Sequence, residues 1–225
     1  CIHEESPIEG AGRVTTDAQR KQLLTWAKEL GCNFVRLAHY PHAEAMTRLA
    51  DEMGLLVWSE VPVYWTIDWT NPDTFRNAQR QVTDMVTRDI NRASIIIWSM
   101  ANETPVNEAR TKFLGGLVKT ARELDPTRLI SAAMEKHGKP GAPDTSVVED
   151  PLADLLDIVA FNQYTGWYAG LPDKCARVKW EIPYEKPVFI SEFGGGAKQG
   201  HHGAADERWT EEFQADLYKK TIPML

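Results

Sequence analysis

Short apolar, β-branched runs recur along the chain, each closed by polar or Gly/Pro punctuation, and longer amphipathic segments lie between them. A strand can be apolar throughout only if both its faces are covered. The alternation therefore reads as parallel strands joined by crossover helices. The strand runs are Asn33 to Ala38, Leu55 to Glu60, Ser94 to Ser99, Arg128 to Ala133, Ile158 to Gln163 and Pro187 to Glu192. Helical patterns cover Thr16 to Gly31, Ala43 to Met53, Asn71 to Asn91, Pro105 to Leu124 and Asp206 to Thr221. In the first of these Thr15 or Thr16 is the N-cap, Leu23, Leu24, Ala27 and Leu30 share one face, and Gly31 is the stop. Gly138 to Thr145 is the one Pro/Gly-rich loop, too short to link two domains.

Repeated βα units fit either a doubly wound sheet or a (β/α)8 TIM barrel, and the polar residues at the strand ends favour the barrel. His39, Tyr40, Glu60, Asn102, Glu103, Asn162, Tyr164 and Glu192 all follow or close a strand. A barrel gathers such ends on one face, where βα-loops build the active site. A doubly wound fold calls for a glycine fingerprint after an early strand, and none is present. The expected fold is an α/β barrel that is incomplete: Cys1 to Glu5 is the stub of a truncated first strand, and an eighth strand is missing. Residues 1–225 are thus expected to form a partial barrel domain, with any flanking domains lying outside this chain.

The 225 residues carry 25 Lys+Arg against 32 Asp+Glu, a formal charge of −7, with no basic block. That excludes a dominant nucleic-acid surface or anionic-membrane surface, both of which are read through basic patches. No apolar stretch approaches membrane-spanning length. Three scattered cysteines form neither a disulfide framework nor a zinc knuckle. His39, His42, His201 and His202 lack metal-binding spacing, and no Gly-x-Ser-x-Gly occurs, so neither metal nor serine chemistry is indicated and no cofactor is expected. Gly194 to Gly196 with Gly200 is no phosphate loop, because His201 stands where the lysine is required. Asn102-Glu103-Thr104 is a formal glycosylation sequon, but it falls at a strand end predicted to be buried. Trp58 and Trp98 lie inside strands and are assigned to the core. Trp167 and Tyr168 follow a strand end, where they can line a pocket.

Two apolar runs end in carboxylates: SIIIWSMANE (Ser94 to Glu103) and KPVFISEFG (Lys186 to Gly194). Hydrolysis of a glycosidic bond needs such a pair, one holding a proton for the leaving oxygen and one attacking the anomeric carbon. Together with NFVRLAHYPH (Asn33 to His42), LLVWSEVP (Leu55 to Pro62) and FNQYTGWY (Phe161 to Tyr168), these strings resemble, in order, the barrel domain of glycoside hydrolase family 2. That family holds the β-galactosidases, β-glucuronidases and β-mannosidases. The resemblance runs from about His3 to Tyr218, and with the stub counted as strand one it puts Glu103 on strand four and Glu192 on strand seven.

The resemblance implies a retaining exo-β-glycosidase working by double displacement. Glu103 would be the acid/base and Glu192 the nucleophile, ~5–5.5 Å apart. Asn102 would bind the sugar 2-hydroxyl, and His39, Glu60, Asn162, Tyr164, Trp167 and Tyr168 would line the sugar site. Arg36 and Tyr164 would hold Glu192 ionised, and His3-Glu4 would follow the first strand. The Asn162 to Tyr168 string is closest to the β-glucuronidase branch, and Lys198 is the nearby cation for a uronate. The substrate is thus a β-glucuronide or β-galactoside, with a non-catalytic carbohydrate-binding module as the alternative. The compartment is expected to be cytoplasmic or periplasmic. Self-association of a full-length polypeptide into a homo-oligomer stays open.

Overall fold

In the computed structural model, which describes residues 1–5 and 15–225, strands and helices alternate through the first part of the chain. The order is α1 (Asp17–Glu29), β1 (Phe34–Leu37), α2 (Glu44–Met53), β2 (Leu56–Glu60), α3 (Pro72–Asp89), β3 (Ile95–Asn102), α4 (Glu108–Leu124) and β4 (Leu129–Met134). There follow β5 (His137–Lys139), β6 (Ala142–Val147), β7 (Val159–Asn162), β8 (Lys179–Glu181), β9 (Val188–Glu192) and α5 (Glu211–Met224). Short 3-10 turns, Pro151–Leu155 and Pro172–Arg177, stand before β7 and β8 in place of full helices. Among the described residues no helix is long and apolar enough to cross a membrane.

Local chemistry sets the boundaries. Thr16 and Gln19 form a reciprocal capping box at α1, and Asn71, Asn107 and Thr210 accept backbone N–H bonds at the starts of α3, α4 and α5. Gly54 closes α2 in a left-handed conformation, φ +67°. Leu30, expected on the buried face of α1, is 83% exposed. It is the C-cap beyond the last turn, and Leu24 and Ala27 supply the buried positions.

Six strands make one parallel sheet in the order β1-β2-β3-β4-β7-β9. The first residues continue it: Ile2 N–H donates to the Arg36 carbonyl at 2.7 Å and Ala38 N–H donates to the Ile2 carbonyl at 2.9 Å. The predicted strand stub is therefore present, and among the described residues no strand joins the sheet after β9. The sheet is rolled, because side chains of its first and last strands meet: the rings of Phe34 and Phe189 are 5.1 Å apart, and those of Trp58 and Phe189 5.6 Å. This is an incomplete (β/α) barrel.

Rolling creates two apolar regions. Trp58, Ile97, Ile158 and Ala160, with Phe34 and Phe189, fill the inside. Alternate residues such as Val35, Leu37, Val57, Trp98, Val159 and Phe161 face the helices in the larger core. Trp58 and Trp98 are core residues as expected, each with its indole N–H bonded to a carboxylate, Glu60 at 2.8 Å and Asp125 at 2.9 Å.

The predicted loop Gly138 to Thr145 is instead part of a hairpin. β5 pairs antiparallel with β6, which pairs with β8, a strand the sequence reading did not assign. Gly141, at φ +76°, supplies the left-handed turn residue. Buried Val148 ties the hairpin's end to the main core. Trp180 on β8 faces Phe161, with ring centres 5.1 Å apart.

Candidate active site

Strand periodicity carries polar side chains to one end of the barrel interior. Phe34, Trp58, Ala160 and Phe189 point inward, so Arg36, Glu60, Asn162 and Ser191, two residues later, form a second, polar layer above them. Asn102 and Glu192 are out of this phase, and two irregularities bring them in. Ser99 pairs with Ser131 but Asn102 pairs with Ala133, so β3 advances three residues while β4 advances two. Phe161 pairs with Ile190 but Asn162 pairs with Glu192, so β9 gains a residue on β7. Each bulge re-aims the residue that follows it.

Arg36, 2% exposed, organises this layer, and all five of its N–H groups are committed. Nε donates to Glu60 Oε2 at 2.9 Å. One terminal nitrogen donates to Glu192 Oε1 at 2.7 Å and Asn162 Oδ1 at 3.2 Å, the other to Glu60 Oε1 at 3.0 Å and Asn102 Oδ1 at 2.9 Å. The second nitrogen also lies 3.2 Å from His39 Nδ1, but both its protons are in use. His39 Nδ1 therefore carries its own proton and donates to Glu60 Oε1 at 2.6 Å, which turns Nε2 towards Glu192 at 3.5 Å.

Asn162 Nδ2 donates to Asn102 Oδ1 at 3.0 Å, and Ser191 Oγ donates to Asn162 Oδ1 at 2.7 Å. Tyr164 donates its phenol proton to Glu192 Oε2 at 2.5 Å. Burial and this bond push the phenol well above its ordinary range, so it remains a donor. Burial works to raise the Glu60 carboxyl. The bonds from His39 and Arg36 outweigh it and hold Glu60 below the usual carboxylate range.

Glu103 is built differently. Its backbone N–H donates to the Ala133 carbonyl at 2.8 Å, and its φ is +47°, a left-handed conformation that costs a non-glycine residue on the order of 1 kcal/mol or more. It is half-buried, and among the described residues nothing hydrogen-bonds its carboxyl. Behind it, Arg110 on α4 donates to Thr104 Oγ1 at 2.8 Å and grips Asp150 in two bonds of 2.7 and 2.8 Å, all three residues fully buried. The turn that presents Glu103 is thus fastened to the helix layer.

Of the residues expected at the site, Arg36, His39, Glu60, Asn102, Asn162, Tyr164 and Glu192 join one hydrogen-bonded network. Glu103 adjoins it through Asn102. Trp167, expected to line the pocket, is largely covered. It is 8% exposed and packs with Phe213, Leu217 and Trp209 beneath the loop after β9. A Cβ on Gly195 would lie 2.7 Å from its ring, and one on Gly194 2.7 Å from the Tyr218 hydroxyl, so the glycine run lets this loop close on the aromatic cluster and α5. Tyr168 is 78% exposed, its ring edge-on to Tyr164 at 5.0 Å. Lys198 is exposed and, among the described residues, its ammonium has no partner, so the network does not include it. His3 meets the His39 ring at 5.1 Å. Glu4 turns away, taking the Ala43 N–H at 2.7 Å and the Arg20 guanidinium, and so fastens the first residues to the start of α2.

The sequence reading missed Ser191, Lys136 and the pair Tyr64 and Trp65. Ser191 was readable as the inward position two residues after Phe189. Lys136 lies two residues past the end of β4, and Tyr64 and Trp65 lie four and five residues past Glu60 at the end of β2, outside the strand-end residues the sequence singled out.

Residues 2–222 match the family described as "Glycosyl hydrolases family 2, TIM barrel domain". A β-glucuronidase of Streptococcus agalactiae is 31% identical over 96% of this chain and 39% of its own length. A solved GH2 β-galacturonidase from Eisenbergiella tayi, bound to galacturonate, superposes with TM-score 0.83 at 26% identity, covering 100% of this chain and 40% of that one. A β-glucuronidase from Bifidobacterium dentium, complexed with coumarin-3-O-glucuronide, gives TM-score 0.81 at 26% identity over 99% and 37%. The chain thus spans about two fifths of the length of these relatives.

Proposed function

Because the chain belongs to glycosyl hydrolase family 2 and matches its TIM barrel domain, we propose that it cleaves a terminal β-linked uronic acid, a β-glucuronide first, by retaining double displacement. The observation that carries the reading is the fixing of Glu192 between Arg36 and Tyr164. A carboxylate bonded on both oxygens, by a buried guanidinium and a phenol, is held in one orientation, as a nucleophile must be. Glu103, whose carboxyl has no hydrogen-bond donor among the described residues, would protonate the leaving oxygen and then take a proton from the attacking water. Asn102, anchored by Arg36 and Asn162, is positioned to bond the 2-hydroxyl, a contact that strengthens in the transition state. His39 and Glu60 would take further hydroxyls. The names of the relatives, β-glucuronidase and β-galacturonidase, favour a uronide over the neutral β-galactoside.

The test is a panel of aryl β-glucuronide, β-galacturonide and β-galactoside, with proton NMR of the first-formed product. Release of the β-anomer from the glucuronide, abolished in Glu192→Gln, is the expected result. An α-anomer product, or release that survives Glu192→Gln, overturns the mechanism. Exclusive cleavage of the galactoside overturns the sugar assignment.

A further inference from the structure

Glu103 stands between two features that the reading above leaves idle. On the β2 side, the loop after Glu60 runs back along β3. Asn102 N–H donates to the Val63 carbonyl at 2.9 Å, and Trp65 N–H donates to the Asn102 carbonyl at 3.1 Å. Tyr64 and Trp65 are thereby tied to the residue before Glu103. Their rings meet edge to face at 5.5 Å, and Tyr64 lies 6.0 Å from the His39 ring. Trp65 is 64% exposed, yet its φ is +56°, a backbone conformation a bulky residue adopts only at a cost. Packing does not account for an indole held there, since most of it is uncovered.

On the opposite side, Lys136 follows β4 three residues after Ala133, whose carbonyl takes the Glu103 N–H. The lysine is half-buried and, among the described residues, its ammonium has no hydrogen-bond or ion-pair partner. Burial lowers its pKa from the ordinary amine range, and Glu103 is the charged group that works against this. Among the described residues Glu103 is the anion that acts on this ammonium, from beyond ion-pair distance.

We propose that Trp65, with Tyr64, and Lys136 form the leaving-group subsite, and that this subsite takes a sugar bearing an anionic substituent, a carboxylate or a sulfate. The assignment rests on Glu103 being the acid, because the acid protonates the leaving oxygen and the departing group therefore lies on its side. The indole offers its face to the C–H face of a pyranose. Lys136, across Glu103, offers a charge-assisted bond to the anion. The substrates are then acidic oligosaccharides trimmed from the non-reducing end, rather than conjugates of small neutral aglycones.

The experiment compares kcat/KM on disaccharides that share the non-reducing sugar and differ in the leaving sugar, which is neutral, sulfated or a hexuronate, with the 4-nitrophenyl glycoside as reference. Wild type should favour an anionic leaving sugar by about tenfold or more, and the two anionic arms tell which anion is read. Lys136→Met and Lys136→Gln should erase that preference. Trp65→Ala should lower kcat/KM on every disaccharide about tenfold more than on the nitrophenyl glycoside. Equal rates on neutral and anionic leaving sugars, or a loss in the Lys136 variants as large on the nitrophenyl glycoside as on the acidic disaccharides, overturns the proposal. If wild type cleaves no glycoside, the proposed function falls, and calorimetry with the free leaving sugars still decides the subsite. Tighter binding of the anionic sugar that is lost in Lys136→Met upholds it, and binding indifferent to charge overturns it.

Discussion

The two carboxylates proposed to act on the sugar sit in opposite kinds of surroundings. Glu192 is 8% exposed and bonded on both oxygens, to Arg36 and to Tyr164, while Glu103 is half-buried, lacks a fixed donor among the described residues, and rests on a left-handed backbone. The contrast matches two chemical demands. A nucleophile gains from being locked ionised in one orientation, whereas an acid/base must gain and lose a proton each turnover, and fixed donors would oppose the protonated form. Rigidity is supplied to Glu103 from behind instead, through the Arg110–Asp150 pair.

The strongest way to break the contrast is to neutralise each carboxylate. Glu192→Gln should lower kcat on the order of 10^4-fold or more on every glycoside. Glu103→Gln should cost roughly 10^2 to 10^4-fold on substrates with poor leaving groups and far less on aryl glycosides of acidic phenols, which need no proton. Steady-state kinetics across a series of phenols checks both, and equal slopes for the two variants would erase the distinction. Arg36→Met comes next, leaving Glu60 and Glu192 buried without their cation. It should destabilise the fold by about 3–5 kcal/mol in urea unfolding, far more than the same change at an exposed arginine such as Arg48.

Tyr164→Phe should cost roughly tenfold in kcat with little change in KM, since Glu192 loses one of the two bonds that aim it, and steady-state kinetics on an aryl glycoside checks it. The smallest effect is a pH dependence. Glu60 titrates below an unfolded carboxylate, so its contribution is present above pH ~4.3 and fades as pH falls through its lowered value. Thermal melts from pH 7 to 3 should show Glu60→Gln losing less stability on acidification than wild type.

Glu60, Asn102, Asn162 and Glu192 were legible because apolar runs ending in Glu or Asn announce strand ends, whereas Arg36, inside its strand, was reached only through the family resemblance. What stayed hidden depends on phase and on long-range pairing. Nothing local in SMANE or ISEFG tells that a bulge turns Asn102 and Glu192 inward, since the extra residue exists only relative to the neighbouring strand. The hairpin β5–β6 was read as a loop because Gly and Pro dominate it, and its partner β8 lies some thirty residues on. The packing of Trp167 was hidden for a related reason: the α5 residues that cover it follow it by more than forty positions.

Arg36 and Glu192 are 156 residues apart, yet one bond joins them, and Glu60, Asn102 and Asn162 converge on the same guanidinium from three intervening strands. The partners of this guanidinium thus come from opposite ends of the sequence, and contacts of such separation carry a high loop-closure cost before they are made. The polar layer is therefore a property of the rolled sheet as a whole, and no single βα unit holds a reduced version of it.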